Sequence, residues 1–120
     1  MVLKRYKHDW LIAFGIIFVL LSIYGTMIYE NIARIREETL IYELRSLRMA
    51  VATYSYINGK KPKNMDELAG AFYYAKNGTK KLLVPSHILK KGLKDPFGNA
   101  YMYDEKSGWV TTSTEKYKDW

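Results

Sequence analysis

The sequence predicts an α+β chain in which a long N-terminal helix packs against a small antiparallel β-sheet, with one or two short helices between them. Three observations support this prediction: an uncharged apolar run at residues 10–29, a helical stripe of apolar residues that continues to Tyr54, and a C-terminal segment in which turns alternate with strands. The first half of the long helix is expected to span a membrane and the second half to be amphipathic.

The apolar run WLIAFGIIFVLLSIYGTMIY, residues 10–29, contains no charged residue over 20 positions. As a helix with a rise of about 1.5 Å per residue it reaches about 30 Å, the thickness of the hydrocarbon core of a bilayer. A buried helix of a soluble protein would need apolar neighbours on all sides, and the rest of the chain is too short and too polar to supply them. We therefore predict a transmembrane helix at residues 10–29.

Basic residues precede this run, namely Lys4, Arg5 and Lys7. The positive-inside rule then predicts that residues 1–9 form a cytoplasmic basic leader and that the C-terminal domain lies on the other side of the membrane. A cleaved secretory signal peptide is the alternative. The run is longer than the usual apolar region of a signal peptide, however, and no small-x-small cleavage site follows it, so a retained anchor is favoured.

The helix is expected to continue beyond the membrane, because residues 30–57 contain neither Pro nor Gly. Apolar residues recur there at spacings of four, three, four and three, as one helical face requires: Leu40, Leu44, Leu47, Val51 and Tyr54. Charged residues, among them Glu30, Arg34 and Glu43, are assigned to the other face. The stripe covers only about two heptads, so it favours packing against a sheet of the same chain over a coiled coil.

The long helix is predicted to end at Asn58 and Gly59, which provide a left-handed C-cap, and Pro62 blocks its continuation. Residues 30–58 are then the extramembrane half of the helix. Residues 59–120 are predicted to form a small α/β globular part.

Two short helices are predicted in this globular part. Asn64 is the N-cap of the first, which runs from residue 65 towards residue 75, with two acidic residues in its first turn, and ends at Asn77-Gly78. The second begins at Ser86, directly after a proline, and stops at Gly92.

A β-hairpin is predicted from KDPFGNAYMYDEKSGWVTTST, residues 94–114. The Asp95-Pro96 turn precedes two strands, at residues 100–103 and 109–112, which flank the five-residue turn DEKSG. Two strands alone are marginally stable, so they are expected to pack on the helix.

No catalytic constellation is recognisable in the sequence, and the chain is predicted to be neither an enzyme nor a cofactor-binding protein. It has no cysteine, which excludes disulfides and thiolate metal sites. His8 and His87 stand apart from any His/Asp/Glu cluster, so no metal site is expected.

The segments ELRSLRMAVATYSYINGKKPKNMDELAG and ILKKGLKDPFGNAYMYDEKSGWVTTST resemble the family of type IV pilins and type II secretion pseudopilins, most of all the major (G-type) pseudopilin. In that family a long N-terminal helix leads through Tyr and Asn-Gly-x-x-Pro into a Leu-rich second helix, and an Asp-Pro-aromatic-Gly-Asn-x-Tyr segment opens the C-terminal sheet. The matching positions are Tyr54, Asn58, Gly59, Pro62, Leu68, Asp95, Pro96, Phe97, Gly98, Asn99 and Tyr101.

The N-terminus departs from the family pattern. Family members are made with a short basic leader cut after a Gly, and the mature chain begins Phe-Thr-Leu-Ile-Glu; this sequence has no such block. Gly25 and Glu30 have the right spacing, but a cut there would remove the anchor. In the family that buried glutamate meets a neighbour's freed amine and fixes the register of incoming subunits. This sequence offers neither group, which argues against polymerisation as a major subunit, and a homo-oligomeric filament is kept only as an alternative. Asp9 is the residue that stands nearest in position to the missing glutamate.

Calcium is a second departure. The family's secretion pseudopilin binds calcium in a longer C-terminal loop, whereas the turn here offers only Asp104, Glu105 and Ser107. Since calcium takes six to eight oxygen ligands, no structural calcium is expected.

The net charge of +7 is concentrated in the globular part. Nine lysines lie between residues 60 and 94, against only Asp66 and Glu67. With Tyr73 and Tyr74 nearby in sequence they form a candidate nucleic-acid or partner contact; a solubilising surface or a docking surface for an acidic partner is the alternative. The lysines are Lys60, Lys61, Lys63, Lys76, Lys80, Lys81, Lys90, Lys91 and Lys94.

The resemblance implies a non-enzymatic structural or assembly component of a type II secretion or type IV pilus-like system. It further implies a single-pass protein of the bacterial inner membrane with a periplasmic or extracytoplasmic domain, whose partners are membrane lipid and other pilin-like or secretion-system subunits and not a small-molecule substrate. The alternative is a membrane-anchored, DNA-binding minor pilin-like protein that acts in DNA uptake.

Overall fold

The computed structural model describes the backbone of residues 2–120 and the side chains of residues 8–120. It is an α+β structure with a long N-terminal helix, as predicted. The elements in chain order are helix α1 (Val2–Asn58), helix α2 (Met65–Gly70), strands β1 (Phe72–Tyr74) and β2 (Lys80–Leu82), helix α3 (Ser86–Lys90), strands β3 (Tyr101–Asp104) and β4 (Trp109–Thr112), and a 3-10 helix (Glu115–Tyr117). The chain divides into two compact units, Met1–Ile35 and Arg36–Trp120.

The first unit is helical. In the part of the chain that the structure describes, one helix is long and apolar enough to cross a membrane, and its most apolar window has a mean hydropathy of 2.4 with none of its residues buried. The large apolar side chains of residues 10–29 are all exposed, as the surface of a membrane-spanning helix would require. The side chains of Lys4, Arg5 and Lys7, on which the predicted orientation depends, lie outside the described residues.

The second unit has a core built on the C-terminal half of α1. The predicted stripe is confirmed, because all five of its members are buried: Leu40, Leu44, Leu47, Val51 and Tyr54. Leu68 of α2, Val84, Ile88 of α3 and Val110 of β4 complete the core. The predicted α3 is also confirmed in position, and Gly92 follows it with a φ of 73°, a backbone conformation that favours glycine.

Helix α2 begins as predicted but ends earlier. The Oδ1 atom of Asn64 accepts a hydrogen bond of 2.8 Å from the backbone N–H of Glu67, so Asn64 is the N-cap. The helix stops at Gly70, and the predicted extension to residue 75 is wrong. Residues 72–74 instead form β1, which pairs antiparallel with β2, because Asn77-Gly78 makes a tight hairpin turn and three consecutive aromatic residues favour a strand.

The C-terminal hairpin agrees with the prediction to within one residue. Strands β3 and β4 pair antiparallel, with Tyr101 opposite Thr112 and Asp104 opposite Trp109. Tyr101, Val110 and Thr112 are buried. The predicted single small sheet is, however, two separate two-stranded sheets, β1-β2 and β3-β4.

The residues after β4 form a contact with α1 that the sequence left open. Tyr117 is buried, its ring lies 5.2 Å from that of Phe97, and its hydroxyl donates to a carboxylate oxygen of Glu37. This hydroxyl, followed by the Lys116 ammonium at 3.2 Å, lowers the pKa of Glu37 below its usual range. The hydrogen bond from Tyr117 and the ion pair of Lys116 with Glu37 therefore hold the 3-10 helix against α1.

Candidate functional site

The first group of family-motif residues forms the junction between α1, α2 and β3. The hydroxyl of Tyr54 donates to Glu67, and the side-chain amide of Asn58 donates to the carbonyl of Tyr54 over 3.1 Å. Pro62 is buried, and its carbonyl accepts a hydrogen bond of 2.6 Å from the hydroxyl of Tyr103. Gly59 takes a φ of 71°, which ends the helix.

The second group is arranged around Asp95, which is buried. Its Oδ1 atom accepts the backbone N–H groups of Phe97, at 2.9 Å, and of Asn99, at 2.8 Å. Its Oδ2 atom accepts the hydroxyls of Thr112 and Thr114. One carboxylate therefore fixes both the turn before β3 and the end of β4.

The ionised form of Asp95 is the favoured one. Burial alone would raise the pKa of this carboxyl, but four hydrogen bonds, from the two threonine hydroxyls and from the two backbone N–H groups, outweigh the burial and hold the pKa below its usual range. Such an arrangement stabilises the charged carboxylate at neutral pH.

The remaining motif residues complete the turn. Pro96 follows the carboxylate, Gly98 takes a φ of 84°, and the side-chain amide of Asn99 donates to Thr114 Oγ1 over 2.9 Å. Tyr101 is buried on β3. The structure thus brings the motif residues into two hydrogen-bonded clusters, one at the C-terminal end of α1 and one at the turn before β3.

Glu43 was assigned from the sequence to the charged face of the helix, and that assignment is wrong. The side chain is 0 % exposed. One carboxylate oxygen accepts from the ammonium of Lys91, the other accepts from the hydroxyl of Tyr101, and Nε2 of His87 lies 3.9 Å away. These partners offset the loss of hydration. Burial, followed by the hydrogen bond to Glu43, raises the pKa of Tyr101 well above its usual range.

The spacing of the helix contained a signal for this burial. Residue 43 lies four positions before Leu47, seven before Ala50 and eleven before Tyr54, which puts all four on one helical face. A glutamate in the middle of an apolar face predicts a buried partner. Neither Lys91 nor Tyr101 could be identified as that partner from local sequence.

The lysines are distributed over several elements of the globular unit. Lys60, Lys61 and Lys63 follow the end of α1, Lys80 and Lys81 lie on β2, and Lys90 and Lys91 belong to α3 and its C-cap. Lys91 is engaged by Glu43, and Lys61 donates to the carbonyl of Lys106 over 2.9 Å. These two lysines therefore have structural partners.

On the β1-β2 hairpin, lysine and tyrosine residues lie opposite each other on paired strands. Tyr73 lies opposite Lys81, and Tyr74 lies opposite Lys80. All six strand residues are exposed. This hairpin is the part of the predicted contact in which basic and aromatic side chains meet.

A shallow groove on the second unit lies between α1 and β4. Ile41, Met49 and Trp109 line it, together with Arg45 and Arg48. The guanidinium of Arg48 lies 3.7 Å above the centre of the Trp109 ring, and its Nε donates to the carbonyl of Val110 over 3.0 Å. Exposed Trp, Met and Arg are residue types that are enriched in protein-protein interfaces.

Among residues 8–120, no group of three or more His, Cys, Asp and Glu side chains is placed to hold a metal ion. His87 is paired with structural residues: it stacks on Tyr42 at 6.1 Å and approaches Glu43. The turn residues Asp104 and Ser107 bond to each other over 2.8 Å.

Comparison with known proteins identifies no relative: no protein-family model, no curated protein and no solved structure matches the chain.

Proposed function

We propose that the chain is a non-enzymatic, membrane-anchored structural component of a type II secretion or type IV pilus-like system, of the pseudopilin kind. The observation that supports this function best is that a single helix, α1, supplies both the membrane-spanning segment and the buried stripe of the globular unit. A chain of this design holds a small domain at a membrane and offers its surface to other subunits.

The motif residues support the same function through their structural roles. Tyr54, Asn58 and Pro62 close the end of the helix, and Asp95 organises the turn that opens the C-terminal hairpin. These are the two places at which the sequence resembles pilin-like proteins. The orientation proposed is a cytoplasmic N-terminus and an extracytoplasmic globular unit.

Deletion of the gene in its host tests this function. Secretion or pilus formation is expected to be lost, to return with the full-length chain, and not to return with residues 36–120 produced without the span. A photoreactive amino acid at Met49, in the groove beside Trp109, is expected to cross-link to another pilin-like or secretion-system subunit, with Glu105 as the control position. Normal secretion and piliation in the deletion strain would contradict the proposal.

The state of the N-terminus decides between two forms of this function. Intact mass and N-terminal sequencing of the protein extracted from membranes provide the measurement. A chain that still begins at Met1 or Val2 fits an accessory subunit. A shortened chain that retains the apolar run and has a methylated N-terminus fits a subunit that polymerises.

DNA capture is the second candidate function, and the pairing of Tyr73 and Tyr74 with Lys81 and Lys80 favours it. Binding through phosphate contacts predicts an affinity that falls steeply with salt. The full chain in neutral-lipid nanodiscs is titrated with labelled DNA at low and at physiological salt. Absence of binding at low salt would exclude this function.

A further inference from the structure

The β1-β2 hairpin has one apolar face that is open to solvent. Residues directly opposite each other on paired strands share a face, and the pairs here are Phe72 with Leu82 and Tyr74 with Lys80. The exposed fractions are 42 % for Phe72, 67 % for Tyr74 and 47 % for Leu82. An aliphatic and two aromatic side chains therefore lie together on one exposed surface.

The same hairpin is strongly basic. No acidic residue occurs between Leu68 and Lys94, and Lys76, Lys80 and Lys81 lie on the hairpin itself. All three are exposed, and none of them forms an ion pair with a described side chain. The partner that complements this surface is consequently both anionic and able to receive apolar groups.

The geometry of the rings favours a lipid surface over nucleic acid. Stacking of a nucleotide base needs an open ring face, and the ammonium of Lys80, 3.9 Å above the centre of the Phe72 ring, covers one face of that ring. The rings of Phe72 and Tyr74 meet edge to face, with centroids 5.7 Å apart, so they do not form a flat stacking platform. Aromatic and aliphatic groups beside lysines are instead typical of membrane interfaces, where the rings lie at the headgroup level.

We propose that the β1-β2 hairpin is a lipid-contacting element in addition to the apolar helix, and that it docks on an anionic phospholipid surface. Lysines near such a surface attract it electrostatically, and the apolar face enters the boundary between headgroups and acyl chains. The proposal rests on the membrane anchoring of the chain and not on its assembly role. It applies equally to a structural subunit and to a protein with another task at the membrane.

Binding to added vesicles provides the test. The full chain is held in nanodiscs of neutral phosphatidylcholine and mixed with vesicles of phosphatidylcholine, with or without phosphatidylglycerol, and the bound fraction is measured by flotation. Binding is expected only with the anionic vesicles. Substitution of Lys76, Lys80 and Lys81 by Gln is expected to lower the partition coefficient roughly 100-fold, at about fivefold per lysine.

A matched control variant removes the same charge elsewhere. Lys60, Lys63 and Lys94 are exposed, lie outside the hairpin, and are also replaced by Gln. This variant is expected to bind the anionic vesicles nearly as the wild type does. Equal losses in both triple variants would overturn the proposal, because they would show a response to net charge alone.

Insertion is tested with a label on the hairpin turn. Because the chain has no cysteine, Thr79→Cys provides a single attachment site for a polarity-sensitive fluorophore, and Glu105→Cys provides the control site. A blue shift of the Thr79 label with anionic vesicles, reduced by Tyr74→Ser, is the expected result. No shift, or a shift produced by a single-stranded oligonucleotide but not by vesicles, would refute lipid docking.

Discussion

At the scale of single residues, Asp95 accepts four hydrogen bonds from the C-terminal part of the chain. It receives two backbone N–H groups from its own turn and two hydroxyls from the end of β4 and the residues after it. A neutral side chain of the same shape cannot accept all four. The fold therefore depends on the charge of this residue as well as on its size.

Replacement of Asp95 by Asn is expected to destabilise the globular unit by about 1.5–3 kcal/mol, the range for hydrogen bonds to a charged group. The Asn oxygen still accepts the N–H groups of Phe97 and Asn99, but its NH₂ group cannot accept from Thr112 and Thr114. Thermal unfolding of the full chain in mild detergent, at neutral pH, measures the difference. A variant as stable as the wild type would show that the two hydroxyls contribute nothing.

The same carboxylate predicts a dependence of stability on pH. The pKa of the Asp95 carboxyl is lower in the folded chain than in the unfolded chain, where it has the ordinary value of 3.8. The stabilisation is therefore complete above that value and is lost as the pH falls through the folded pKa. Unfolding temperatures measured from neutral to acidic pH are expected to fall more steeply for the wild type than for Asp95→Asn. Parallel curves would contradict this assignment.

The contact between Glu43 and Tyr101 predicts a non-additive pair of substitutions. Glu43→Leu leaves the buried Tyr101 hydroxyl without an acceptor, which is expected to cost about 1–3 kcal/mol, whereas Glu43→Gln keeps an acceptor and costs less. Adding Tyr101→Phe to Glu43→Leu is expected to restore part of the loss. The unfolding free energies of Glu43→Leu, of Tyr101→Phe and of the double variant measure this coupling. Strict additivity of the two single effects would rule the coupling out.

At the scale of elements, the buried stripe of α1 is the surface on which the small elements pack. Leu47 has no exposed area, whereas Met49 on the same helix is largely exposed. Leu47→Asp places an unpaired charge in the core and is expected to destabilise the unit by about 3–5 kcal/mol. Met49→Asp is the matched control and is expected to change stability little. Unchanged thermal unfolding of Leu47→Asp would remove this residue from the core.

Much of this packing was predictable from the sequence, because the signals were local. The spacing from Leu40 to Tyr54 indicated the buried face, Asn64 indicated the start of α2, and the Asp-Pro turn indicated the C-terminal hairpin. Each of these depends on residues only a few positions apart.

The errors have two different physical origins. Asn77-Gly78 was interpreted as the end of a helix, although the same dipeptide between runs of aromatic and aliphatic residues is a strong hairpin signal. The burial of Glu43 depends instead on its hydrogen bonds to Lys91 and Tyr101, which lie 48 and 58 positions away in the sequence. Such long-range pairs have no local signature, so sequence periodicity alone cannot predict them.

At the scale of the whole molecule, the proposed function requires a defined orientation of the chain in the membrane. The absence of cysteine allows single labelling sites on either side of the span, at His8→Cys and Glu105→Cys. In intact cells, a membrane-impermeant maleimide is expected to label only the Glu105 variant, because the positive-inside rule predicts a cytoplasmic N-terminus. Labelling of His8→Cys alone would reverse the orientation.

The bond between Tyr117 and Glu37 joins residues 80 positions apart, and this separation has a consequence for synthesis. A ribosome adds about 5–20 residues per second, so about 4–16 s pass between the appearance of Glu37 and that of its partner. During this interval the nascent chain has already produced the stripe from Leu40 to Tyr54 but not the strands that cover it. Throughout this interval the unfinished chain therefore exposes the apolar stripe from Leu40 to Tyr54, which is buried only once the C-terminal strands have been synthesised.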